Sequence, residues 1–177
     1  MPSNTYVLIS SVTVGAGGAS SIDFTSIPAT YTDLLVRLCV RIDRAGTTFT
    51  QMGMRLNASS SGYSTRILEG NGSTASSQTT GVTSYFGYDS LTVNSSNSTA
   101  STFTSVDIYL PNYAGSAYKS GSIDLVNEQN ATTANAKLAA ALWSNTAAIT
   151  SIAFNEPNSS ANFAQYSTAY LYGIKNS

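Results

Sequence analysis

Apolar side chains recur at every second position along much of this chain, the spacing that sends one set of residues to the buried face of a strand and the alternate set to the other face. The run from Asp33 to Asp43 is the clearest. Leu34, Val36, Leu38, Val40 and Ile42 share one face, and Leu35, Arg37, Cys39, Arg41 and Asp43 the other. It predicts a long central strand with one side in the core. Met52, Met54 and Leu56 form a second inward set after a turn at Arg44-Ala45-Gly46, and the two segments are expected to pair as a hairpin. Thr104, Val106, Ile108 and Leu110 make a third set, closed by Pro111-Asn112, where proline removes a ladder donor.

Four further strands are predicted over Gly121 to Asn127, Lys137 to Trp143, Ile149 to Phe154 and Thr168 to Ile174. Near the N-terminus, Tyr6 to Val14 and Ser20 to Thr25 flank Gly15-Ala16-Gly17-Gly18, whose glycines supply the positive φ angles of a tight hairpin. A phosphate-binding reading of those glycines lacks both the G-x-G-x-x-G spacing and a following amphipathic helix. The alanines of Asn130 to Trp143 favour helix. The alternation of Leu138, Ala140 and Leu142 with Ala139, Ala141 and Trp143 favours strand, and strand is the reading adopted.

The stretch from Ala58 to Ser101 breaks the pattern with dense Ser, Thr, Asn and Gly, so short strands joined by long excursions are expected there. Short strands separated by turn signals predict one all-β domain over residues 1–177, a jelly-roll-like β-sandwich with Greek-key connections.

Composition changes the picture in one direction. Of 177 residues, 10% are charged and none is histidine, while Ser and Thr supply roughly three in ten. Without histidine, Ser-His-Asp and Cys-His catalysis and His-based metal sites are excluded. The one Ser-x-x-Lys, Ser116-Ala-Tyr-Lys119, stands without the S-D-N and K-T-G companions of a lysine-activated serine site, so no such nucleophile is assigned. Paired carboxylates are the remaining catalytic option. Asp107 and Asp124 lie on predicted strands where they could face each other, although strand aspartates directed at solvent are the preferred reading. No catalytic residue, cofactor or metal ligand is therefore assigned, and the chain is expected not to be an enzyme.

The five arginines all lie in the first half of the chain and are expected to pair with Asp23, Asp33, Asp43 or a partner's carboxylates. They fall short of the basic stripe that nucleic-acid binding needs. The single cysteine, Cys39, can form no disulfide within the chain and is expected as a small packed side chain. No apolar run approaches a membrane span, and no Lys or Arg precedes the short apolar stretch after Met1, so synthesis in the cytoplasm is expected. The Asn-x-Ser/Thr triplets carry no weight in a chain so rich in these residues.

Eleven tyrosines remain as interaction chemistry, because a phenol joins apolar area to a polar tip. Tyr85, Phe86 and Tyr88 form the densest group, readable as core edge, subunit interface or sugar-stacking face.

The C-terminal segment Ala148-Ile-Thr-Ser-Ile-Ala-Phe-Asn-Glu, followed by Tyr166-Ser-Thr-Ala-Tyr-Leu-Tyr-Gly-Ile-Lys, resembles the closing strands of virion jelly-roll proteins of tailed bacteriophages. The opening is similar to the same family, in Tyr6-Val-Leu-Ile-Ser-Ser-Val-Thr-Val, Ile22-Asp-Phe-Thr-Ser-Ile-Pro and Tyr31-Thr-Asp-Leu-Leu-Val-Arg. The resemblance covers about half the chain and leaves out the Ser/Thr-rich middle. It implies a structural virion protein that decorates or cements the capsid, contacting the major capsid protein and copies of itself, with a homotrimer expected. The alternative it leaves open is a tail or fibre module that binds a host carbohydrate. Tyr6, within a contact segment from Met1 to Thr13, and the Tyr85, Phe86 and Tyr88 group are the contact candidates.

Overall fold

The segment Asp33–Val40 (β3) alternates as its side chains require. In the computed structural model, which describes residues 5–131, 133–158 and 161–175, Leu34, Val36, Leu38 and Val40 are buried, whereas Arg37 and Cys39 face out. Cys39 is thus an exposed outer-face residue between Thr168 and Ser105, not a packed core side chain. Its phase in the strand decides this, because it shares the face of Arg37.

The other strands in chain order are Tyr6–Thr13 (β1), Ser21–Phe24 (β2), Phe49–Gln51 (β4), Gly53–Leu56 (β5), Tyr63–Gly70 (β6), Ala75–Thr79 (β7), Thr92–Asn94 (β8), Thr104–Leu110 (β9), Lys119–Val126 (β10), Ala136–Trp143 (β11), Ile152–Asn155 (β12) and Thr168–Ile174 (β13). There is no helix among the described residues, and the alanine-rich segment is strand β11. One layer is an eight-stranded sheet in the order β1-β13-β3-β9-β10-β11-β6-β7. The second layer combines β2-β12-β5 with β4-β8. These two ladders meet where Met52 N–H donates to the Leu91 carbonyl, and Phe86 bridges the β5 edge with its N–H on the Met54 carbonyl, both at 2.8 Å. All the strand pairs are antiparallel.

The path of the chain makes this a jelly roll. β1, β3, β9 and β13 lie in the first layer, and β2, β4–β5, β8 and β12 in the second, so the chain keeps crossing between layers. The β6–β7 and β10–β11 hairpins widen the first layer. Two expected hairpins are corrected by this path. β1 does not pair with β2, because the turn closed by Gly18 N–H on the Gly15 carbonyl hands the chain to Ala19, which bridges Phe163 and enters the second layer. β3 does not pair with the Met52–Leu56 segment, since β3 takes β13 and β9 as neighbours while β5 takes β12. In each case the two inward faces meet across the core instead of side by side.

The core is filled by Leu34, Val36, Val106, Ile108, Ile123 and Leu171 from the large sheet against Ile22, Phe24, Met54, Leu56 and Phe154 from the second layer. Within the middle stretch, β6 is a full eight-residue strand, and the segments after β7 and β8 are irregular. Arg41 holds one of these, donating to the carbonyls of Thr99, Thr102 and Ser98 at 2.9–3.1 Å. Arg44 pairs with buried Glu156, and Arg37 with Asp107. The expected arginine partners Asp23, Asp33 and Asp43 instead accept from Ser21, from Tyr109 and Asn112, and from Asn162.

Candidate functional site

Strands buried on one side normally carry polar residues on the other. The outer face of the eight-stranded sheet departs from this rule, and differently in its two halves.

Over β10, β11, β6 and β7 the outer residues are mostly apolar or hydroxyl-bearing, with Arg66 and Asp124 as the charged exceptions. Leu138 and Leu68 stand directly opposite each other and are 55% and 60% exposed, with Val126 nearby and exposed as well. The face is concave there. One hollow of about 580 Å³ is lined by Leu68, Leu138, Ala140, Arg66, Ser77 and Thr79, and a second of about 460 Å³ by Leu68, Leu138, Ala136, Asp124 and Ser76, among others. The inner side of β11 explains why its leucines point out. Inward-facing Ala139 sits against Ile123 and Ala141 against Gly121, where an added Cβ would meet the Tyr109 carbonyl at 2.8 Å and the Phe86 ring at 3.0 Å. Trp143, Tyr63 and Phe86 already fill that space, Tyr63 stacking on Trp143 and meeting Phe86 edge-on. At Ala139 and Ala141 only small residues fit inside.

Over β1, β13, β3 and β9 the outer face carries tyrosine and charge beside Leu8, Leu35 and Cys39. Tyr6, Leu35, Arg37, Asp107 and Tyr172 line a concavity of about 650 Å³. Arg37 and Asp107 are opposite in register and joined by a two-pronged contact, Nε to Oδ1 at 2.9 Å and Nη2 to Oδ2 at 2.8 Å. That contact, followed by the charge attraction, raises the guanidinium pKa above its ordinary value. The Tyr172 ring stacks on Tyr170 with centroids 6.4 Å apart. The Tyr109 hydroxyl donates to Asp33 at 2.8 Å, and this hydrogen bond pushes the phenol pKa up.

Of the contact candidates, Tyr6 is outward and 56% exposed on β1, while Met1 to Asn4 lie outside the described residues. Tyr85 and Phe86 turn inward. Phe86 is fully buried, and Tyr85 is held under the Arg55 guanidinium, 4.5 Å from the ring centroid, with its hydroxyl accepting from Arg55 at 3.0 Å. Tyr88 is half-buried, stacked on Tyr85, and accepts from Asn158. The group is therefore core edge in the second layer and is not brought together with Tyr6. Asp107 and Asp124 do face each other across β9 and β10, both toward the outside, but both oxygens of Asp107 are already engaged by Arg37.

The residues that sequence reasoning passed over are Leu68, Leu138, Tyr109, Tyr170 and Tyr172. Their signal was present in strands apolar on both phases, as where Tyr170 and Tyr172 alternate with Ala169 and Leu171. Among the described residues no group of three or more acids or cysteines could hold a metal ion, and no helix is long and apolar enough to cross a membrane. No family model, curated protein or solved structure matches this chain.

Proposed function

We propose that this chain is a structural virion module of the decoration or cement type, which binds protein through the outer face of β10, β11, β6 and β7. The observation that carries this reading is the directly opposed, exposed pair Leu68 and Leu138 in a sparsely charged hollow. Exposed apolar area of this kind is what protein interfaces cover, and burying one leucine side chain contributes about 1.5–3 kcal/mol. The virion setting comes from the resemblance of the terminal strands to phage jelly-roll proteins, and the jelly-roll path supports it.

In this reading the face meets the major capsid protein, and copies of the chain group as a homotrimer around a threefold axis. Binding to the assembled shell then stabilises the module by mass action. Two measurements test it. Purified virions should hold the chain at a copy number comparable to that of the shell protein, and Leu138→Asp should abolish retention on the particle while leaving the purified module folded. A copy number typical of a tail component, or full retention of Leu138→Asp, overturns it.

A further inference from the structure

The concavity over β1, β13, β3 and β9 belongs to the half of the sheet that the proposed shell contact does not use. Its floor is the exposed ion pair of Arg37 and Asp107, and its walls are Tyr6, Tyr172 and Leu35. A volume of about 650 Å³ lies in the range of small-ligand sites.

Three features define what fits. The guanidinium carries five N–H donors and spends two on Asp107, so donors remain, and the carboxylate oxygens keep lone pairs. Donors and acceptors therefore lie side by side in one rigid fork, the pattern that vicinal hydroxyls satisfy, and the fork is already ordered before any ligand arrives. The stacked rings of Tyr170 and Tyr172 add apolar surface with polar tips, suited to the C–H face of a sugar ring. Finally, the charge around the fork is negative. Asp124 stands opposite Asp107 in register, so two carboxylates accompany the single Arg37 guanidinium at the fork, and an anionic ligand is disfavoured there.

We propose that this concavity is a binding site for a neutral pyranose sugar, seated against Tyr172 and Tyr6 with its hydroxyls on the Arg37–Asp107 fork. The assignment holds whether the module sits on a shell or a tail.

The test titrates the intact protein with neutral gluco-, galacto- and manno-oligosaccharides, and with sialyllactose as the anionic probe, read by saturation-transfer NMR. At least one neutral series should bind with a Kd of about 1 mM or tighter. Tyr172→Ala and Arg37→Met should each weaken it about tenfold or more, with unchanged melting curves establishing that the variants fold. Tyr118→Ala, an exposed tyrosine outside the concavity, should leave binding unchanged. The proposal is overturned if no neutral series binds, if sialyllactose binds as well or better, or if neither Tyr172→Ala nor Arg37→Met weakens binding.

Discussion

The two halves of the large sheet solve the same packing problem in opposite ways. Over β3 and β9, branched aliphatics such as Leu34, Val36 and Ile108 point inward and Arg37, Asp107 and Tyr109 outward. Over the middle of β11 and β6 small residues hold most of the inward positions: Ala139, Ala141 and Thr65 are inside beside Ile67, and Leu138 and Leu68 outside. The inner space of the second half is taken by Trp143, Tyr63 and Phe86, and its ends by buried lysines. Lys137 is joined to Glu69 at 3.2 Å and donates to Thr92 and the Asp89 carbonyl at 2.9 Å, while Lys119 is ringed by the carbonyls of Gly115, Ala117 and Thr146. Side-chain size alone therefore does not identify the core face. Room left by neighbouring strands decides it.

The largest expected break in this contrast is Lys137→Ala. It removes the cation from a mostly buried pair and leaves Glu69 and the Thr92 hydroxyl without it, so stability should fall by about 3 kcal/mol in urea denaturation. Ala141→Leu is next, at about 2 kcal/mol, because the position is flanked by Gly121 and Thr65 under a filled aromatic cluster. A neutral effect would mean that the inner space is not full.

Tyr63→Phe should cost about 1 kcal/mol at neutral pH, since its hydroxyl accepts from the Leu56 N–H at 3.0 Å inside the core. It also changes the alkaline limb. Burial raises the Tyr63 pKa above its ordinary value of 10.0, so the folded state holds that proton more tightly than the unfolded chain does. Stability from this group is complete below pH 10.0 and is lost as pH rises toward the folded value, and Tyr63→Phe should flatten that loss in melts recorded above pH 10.0. The smallest effect sharpens the contrast most. Leu138→Ala should cost no more than about 0.5 kcal/mol, against the 2–5 kcal/mol of a core leucine.

The alternating strands were legible because period two is enforced wherever one face is buried, and β3, β9 and β13 read directly from Leu34–Val40, Thr104–Leu110 and Thr168–Ile174. Pairing was less legible. The chain carries good turn residues at Gly15–Gly18 and Ala45-Gly46, yet a turn of that kind serves a hairpin or a crossing between layers equally well, and contacts such as Ala19 with Phe163 decide which. The Tyr85, Phe86 and Tyr88 group showed its aromatic density in sequence but not its direction, which depends on Arg55 and Met54 from another strand. The outer-face concavity escaped entirely, because Tyr6, Arg37, Asp107 and Tyr172 come from four strands spread over the whole chain and meet only through sheet register.

The position of β13 between β1 and β3 sets a schedule for biosynthesis. Among the described residues β1 has β13 as its only neighbour in the sheet, and β12 likewise separates β2 from β5. The ladders of β1 and β2 thus wait for Thr168–Ile174 and Ile152–Asn155, and such long-range pairings close slowly. While the ribosome is still short of Thr168, the early strands stand with open edges and uncovered aliphatic faces, the condition in which nascent β-proteins aggregate. Chains halted before Thr168 should accordingly be cut by protease within Tyr6–Thr13, and chains that extend past Ile174 should resist. Closure of this sheet is gated by synthesis of β13.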